Sequence, residues 1–213
     1  RPLETKGISF GKVILNEING SDWAESWKKY YKPKRIAKRI VIKPSWEDID
    51  IKGNDIIIEL DPGMAFGTGT HETTIMCIEA LESLVRNGDR VYDIGCGSGI
   101  LSIVAAKLGA SKVLGIDLDP MCIKVARENT KINKIENKVR ILQGNMLDVI
   151  SESADIIVSN IVAEVIVEMS EDIKRYLKKD GYFIASGIIL DKIDLVSNSL
   201  CKMGFKILKV KTT

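Results

Sequence analysis

Val91-Tyr92-Asp93-Ile94-Gly95-Cys96-Gly97-Ser98-Gly99-Ile100-Leu101 is an apolar run that stops at three alternating glycines and resumes as an apolar helical stretch. The next apolar run, Lys112-Val113-Leu114-Gly115-Ile116-Asp117, ends in an acid 22 residues after Gly95. A strand, a glycine turn, a helix and a second strand with an acid at its tip make the layout of a nucleotide-type cofactor site. Glycines let the backbone turn tightly and approach a ligand, and the acid can accept hydrogen bonds from two ribose hydroxyls. A dinucleotide fingerprint reads G-x-G-x-x-G and rests a pyrophosphate on the helix N-terminus. Here Gly95, Gly97 and Gly99 read G-x-G-x-G with Asp93 two residues ahead, so the expected ligand needs no pyrophosphate cradle.

Outward from this stretch, residues 56–213 alternate short apolar runs with amphipathic segments, which predicts a doubly wound, mostly parallel α/β sheet covered by helices on both faces. The expected strands are Val91–Ile94, Lys112–Asp117, Val139–Leu142, Ala154–Ser159, Gly181–Ser186 and Phe205–Val210. Helices are expected from near Ile100, Pro120, Ala163 and Asp191, with Pro120 suited to a first helical turn and Asp191 a candidate N-cap. The first 55 residues have another texture. Trp23, Trp27 and Tyr30 fall on one helical face, read as a packing stripe. Lys34–Pro44 and Ile56–Leu60 are expected to pair as antiparallel strands, joined by Ser45–Asn54. We therefore divide the chain into a linker and remnant segment, 1–55, and a main α/β domain, 56–213.

Composition narrows the function. The 31 basic residues nearly balance 29 acidic ones, and no basic block marks a general nucleic-acid surface, although a specific contact with a folded RNA stays open. With His71 the only histidine, a second-histidine triad or a histidine metal site cannot be assembled, and no metal is expected. Cys77, Cys96, Cys122 and Cys201 form no C-x-x-C pair and read as free thiols. No apolar run approaches the roughly eighteen residues of a membrane span, and no signal-peptide layout is present, so a cytoplasmic chain without a membrane partner is expected.

Upstream of the glycine turn lies Asp61-Pro62-Gly63-Met64-Ala65-Phe66-Gly67-Thr68-Gly69-Thr70-His71-Glu72-Thr73-Thr74, too rich in glycine and threonine for a strand or helix interior. Its last residues should enter a helix from Ile75 to Leu84 with a threonine as N-cap. It contains no lysine, so it is not a phosphate-binding loop of the G-x-x-x-x-G-K-[ST] kind. Its position favours a loop lying over the ligand.

The run Pro62–Thr74, together with Asp93–Leu101 and Asn160-Ile161, resembles the PrmA-type ribosomal protein methyltransferases, and the glycine turn Asp93–Gly99 by itself resembles motif I of the wider class I S-adenosylmethionine-dependent methyltransferases. Asp22–Lys28 and Pro44-Ser45-Trp46 are also similar to that family's linker, so the likeness runs from about residue 12 to the end. Met64 and Glu72 depart from the family pattern without removing a functional group.

The resemblance implies a Rossmann-like enzyme that methylates the α-amine and lysine amines of a large-subunit ribosomal protein, L11, with a separate recognition domain. It implies S-adenosylmethionine as cofactor, with Thr74, Gly95, Asp117 and Asn160 in contact with it. Gly97 belongs to the same turn, Asn145 is a candidate for the adenine edge, and Phe66 is a candidate pocket wall or sulfonium partner, with plain packing as the alternative. Asn160 would also orient the amine. The family's last strand is expected to be missing after Thr213, leaving the edge near Phe205–Val210 underpaired. The competing readings are a methyltransferase of RNA or a small molecule, and a binding module that keeps the fold. A dehydrogenase is disfavoured by the glycine spacing.

Overall fold

Asp93, in the strand Arg90–Ile94, lies opposite Gly115 of the strand Lys112–Asp117 on one side and Val158 of the strand Ala154–Asn160 on the other, at the centre of a parallel sheet. The computed structural model describes residues 31–61, 69 and 71–212. The aromatic stripe of Trp23, Trp27 and Tyr30, and Phe66 as well, lie outside the described residues.

From Lys32 onward the chain is one compact unit. Its elements are β1 (Lys34–Arg35), β2 (Ile40–Lys43), β3 (Ile56–Glu59), α1 (Glu72–Leu84), β4 (Arg90–Ile94), α2 (Ile100–Leu108), β5 (Lys112–Asp117) and α3 (Pro120–Ile132). There follow β6 (Val139–Gln143), β7 (Ala154–Asn160), α4 (Ala163–Glu168), α5 (Ser170–Tyr176), β8 (Leu177–Ser186) and α6 (Ile193–Lys202).

The main sheet runs β6-β5-β4-β7-β8, parallel throughout. The chain winds outward from β4 through β5 and β6, then crosses to the other side for β7 and β8. The order therefore reverses between β4 and β7, and the crevice outside the carboxyl ends of those strands is where such sheets take ligands. Strand alternation builds a core on each face. Val91, Val113, Ile156 and Val158 pack with α1, α2 and the small sheet. Tyr92, Ile94, Ile116 and Ile157 pack on the other face with α4, α5 and α6. The doubly wound sheet expected from the sequence is the one observed.

Three local expectations are corrected. The stretch expected as one strand over Lys34–Pro44 is two, β1 and β2, turned back antiparallel. β2 then pairs with β3 in parallel, Ile40 opposite Ile56 and Ile42 opposite Ile58. The twelve residues 44–55 between them are enough to carry the chain back along the strand, which a short hairpin cannot do. Phe205–Val210 joins no ladder. The Phe205 N–H returns to the Leu200 carbonyl at 3.1 Å, its ring meets Phe183 at 6.4 Å, and Lys211 reaches Glu79 of α1. Apolar alternation makes a strand only where an adjacent edge supplies ladder partners, and sequence periodicity does not report that edge. Asp191 lies in a 3₁₀ turn, Leu190–Lys192, while α6 is entered from Lys192 without a side-chain cap.

Candidate active site

Ile94 is followed by a turn in which Gly95, Gly97 and Gly99 all have left-handed backbone, with φ of 73°, 52° and 80°. At Gly95 a Cβ would lie 2.4 Å from Ile161 Cγ2, and at Gly99 it would lie 3.0 Å from Ala126 Cβ. The turn is thus pressed between the β7–α4 connection and α3, and neither position admits a larger residue.

Behind the turn, Asp93 is fully buried. Its Oδ2 accepts from Ser102 N at 2.9 Å and from Ser102 Oγ at 2.7 Å. Ser102 is the third residue of α2, and the Gly99 N-cap offers no side chain. The strand carboxylate therefore satisfies a helix N-terminal donor that a cap residue would otherwise take. Ser102 also sits over Gly115, where a Cβ would come within 2.8 Å of its Oγ. Oδ1 of Asp93 is buried without a hydrogen-bond partner. Burial pushes this carboxyl up to about 7 against the opposing pull of the two Ser102 bonds, with the neighbouring Asp117 charge adding to the rise.

In front of the turn, Asp117 is half-buried. Its Oδ2 accepts from Gly97 N at 2.8 Å and its Oδ1 from Asp119 N at 3.0 Å. A carboxylate has about four acceptor positions, so two remain for a ligand. The same segment continues into β6's exit: Gly144 N donates to the Asp117 carbonyl at 3.0 Å, which brings Asn145 to the rim of the same crevice, exposed.

The opposite wall is Thr74 and Asn160. Helix α1 starts at Glu72, three residues earlier than expected, because His71 and not a threonine caps it: His71 Nδ1 accepts from Thr73 N. Histidine fills the role because a ring nitrogen can accept as an Asn oxygen does. Thr74 is thereby placed in the first turn, buried, where Asn160 Nδ2 donates to its Oγ1 at 3.1 Å. Ser186, opposite Asn160 in the sheet, donates to the Thr73 carbonyl at 3.1 Å, which ties α1 to the ends of β7 and β8. Since Ile161 follows Asn160 and touches Gly95, the two walls are continuous. The structure brings Thr74 to Asn160, Gly97 to Asp117, and both pairs to the same strand ends.

Sequence reasoning missed Ser102 and Asn129. Asn129 is buried on α3 and donates to the Ser98 carbonyl within the turn at 2.9 Å. An asparagine on the apolar side of an amphipathic helix is the trace Asn129 leaves in the sequence, and Ser102 leaves none. Burial raises the Cys77 thiol to about 12 and the Cys96 thiol higher still, so both stay protonated and neither is a nucleophile at neutral pH. Around the mouth, Val162, Ile189 and Leu190 are 59%, 64% and 66% exposed, and Lys192 pairs with Glu164 at 3.2 Å to join the two loops that carry them. Among the described residues no three metal-ligating side chains converge, and no helix is long and apolar enough to cross a membrane.

The sequence model of the family described as Ribosomal protein L11 methyltransferase (PrmA) matches residues 3–213. A ribosomal protein L11 methyltransferase of Alkaliphilus oremlandii is 58% identical over 205 residues, covering 96% of this chain and 66% of the relative. One from Alkaliphilus metalliredigens is 54% identical, covering 96% and 65%. The chain spans about two thirds of the length of these curated relatives. Among solved structures, a ribosomal protein L11 methylase from Lactobacillus delbrueckii subsp. bulgaricus superposes with a TM-score of 0.80 at 34% identity, covering 86% of this chain and 94% of that one.

Proposed function

The chain belongs to the ribosomal protein L11 methyltransferase family, with its class I methyltransferase fold, and on that premise we propose that it moves methyl groups from S-adenosylmethionine to amines of ribosomal protein L11. The acceptors are the α-amine and lysine ε-amines. Residues 56–213 are assigned the transfer, and residues 1–55 are read as the linker side of a substrate-recognition domain.

The observation that supports this best is the pair of walls at the carboxyl ends of β4, β5 and β7. Asp117, held by Gly97 and Asp119, has acceptor positions left for two ribose hydroxyls. Asp117 gives the crevice an anionic floor, while Asp93 stays sealed behind the turn with its Oδ1 unpartnered. Such a floor suits a ligand bearing a sulfonium and an ammonium, and opposes a pyrophosphate. Thr74 and Gly95 are assigned to the amino-acid tail, Asn145 to the adenine edge, and Phe66 to the pocket wall.

S-adenosylmethionine supplies a methyl group on a positively charged sulfur, ready for direct displacement by a nitrogen lone pair. The protein must then deliver a neutral amine in line. A free lysine titrates near about 10.4, and withdrawal from water disfavours its ammonium. Asn160 has an amide oxygen to accept from that amine while its Nδ2 is engaged by Thr74, which fixes the direction the oxygen faces. Orientation does most of the work, and no strong base is required. The exposed apolar lip of Val162, Ile189 and Leu190 beside Asn160 offers a protein substrate a surface that a small molecule would not need.

Calorimetry should show binding of S-adenosylmethionine and none of NAD at comparable concentration, and mass spectrometry of ribosomal protein L11 after incubation should show methyl additions on amines. Comparable NAD affinity would overturn the cofactor assignment. Methylation absent from L11 but present on RNA would overturn the substrate.

A further inference from the structure

Helix α3 begins just after Asp117 and ends against the small sheet. Two buried asparagines one turn apart, Asn129 and its C-cap Asn133, lie on one face of its far end. The Asn133 amide makes a two-point, peptide-like contact with β3: its Oδ1 accepts from Glu59 N at 3.0 Å and its Nδ2 donates to Glu59 O at 2.6 Å. The same Nδ2 donates to Asn129 O at 2.8 Å. Asn129 Nδ2 in turn donates to Ser98 O, inside the glycine turn. β3 is one of the two outer strands of the small sheet β1-β2-β3, so Asn133 occupies an edge position that a further strand would take.

The consequence falls on a third point. Gly69 is held between Ile42 of β2 and Ile100, the first residue of α2; a Cβ there would lie 2.4 Å from the one side chain and 2.6 Å from the other. Ile42 is paired with Ile58, next to Glu59, and Ile100 follows the turn that contains Ser98. The separation between the small sheet and α2 sets this slot, and the chain leaving it becomes the first turn of α1 with Thr74.

We propose that Asn129 and Asn133 are positioning residues: they fix the small sheet against the glycine turn, and through the Gly69 slot they set where Thr74 meets Asn160 in the cofactor crevice. The proposal rests on the S-adenosylmethionine reading above. Their amides are engaged by backbone groups, Asn129 by Ser98 and Asn133 by Glu59, so they act through packing on the wall of the site that the glycine turn does not itself form.

The test compares Asn133→Ala and Asn129→Ala with Val196→Ala, a truncation in the opposite core chosen for a similar loss of Tm. Loss of these hydrogen bonds should weaken S-adenosylmethionine binding by about tenfold in each asparagine variant, with faster amide exchange from His71 to Cys77. Val196→Ala should change neither. Asn133→Asp keeps the shape and the acceptor but lacks the donor to Glu59 O, and should behave as the alanine variant does. Cofactor affinity within twofold of the parent, or unchanged exchange over His71–Cys77, would overturn the clamp. A parent chain that binds no S-adenosylmethionine would overturn the cofactor reading instead, and the exchange comparison would still decide whether the clamp sets the position of α1.

Discussion

Asp93 and Asp117 stand at the ends of neighbouring parallel strands, the one opposite Gly115 and the other two residues further along. Each accepts a backbone N–H from the stretch that follows Ile94: Asp93 from Ser102, Asp117 from Gly97. Yet Asp93 is sealed behind the glycine turn and Asp117 stands half-buried before it. The same side chain is a helix anchor on one side of the turn and, in the function proposed above, a ligand acceptor on the other. What separates them is which side of three glycines the carboxylate emerges on, because that decides whether its spare lone pairs face packed protein or the crevice.

The largest effect expected to sharpen this contrast is on the buried side. Asp93→Ala strands the N–H and hydroxyl of Ser102 and opens a void, and should cost about 2–4 kcal/mol in a urea titration. Asp117→Ala should cost no more than about 1 kcal/mol in the same assay while weakening S-adenosylmethionine binding by about 1.5–3 kcal/mol. If Asp117→Ala unfolds the protein and leaves the affinity of what remains untouched, the two roles are not divided by the turn.

A pH titration tests the same division. The Asp93 carboxyl is raised from the ordinary 3.8 to about 7 by burial, so between those values the unfolded chain has released a proton that the folded chain keeps. The folded state binds more protons there, and its stability falls as pH rises through the window. Asp93→Asn removes that titration while keeping an oxygen for Ser102. Its stability relative to the parent should therefore climb from about pH 4 to about pH 7 and level off above, read from urea midpoints. A constant difference across that range would mean that the carboxylate is not held neutral by burial.

The glycine turn and Asp117 were legible because each answers a local requirement: left-handed backbone at Gly95 and Gly99, and an acceptor at a strand end. The doubly wound, mostly parallel architecture was legible for the same reason, since strand and helix periods alternate cleanly after Arg90. The small sheet was not. Whether β2 and β3 run parallel or antiparallel depends on what a twelve-residue connection does in space, and apolar alternation is identical in the two cases. Phe205–Val210 failed for a related reason, since its pattern fits a strand but no edge is paired to it. His71 as a cap lay outside the usual Ser, Thr, Asp and Asn, and Asn129 and Asn133 are polar residues whose partners are 31 and 74 positions away in the chain.

Thr74 carries the smallest and most discriminating expectation. It is as buried as Asp93, at 1% exposure, yet its hydroxyl is on the crevice side, where it accepts from Asn160 Nδ2. If burial alone decided the role, removing the hydroxyl would change stability only. If the side of the turn decides it, Thr74→Val, which keeps the shape, should cost about 1 kcal/mol of stability and also free the Asn160 amide to rotate. In the function proposed above the freed amide presents its oxygen to the incoming amine less often, so the turnover number with ribosomal protein L11 should fall more than cofactor affinity does, and Thr74→Ser should restore most of both. Equal behaviour of the valine and serine variants in turnover would show that Thr74 packs the first turn of α1 and does nothing for Asn160.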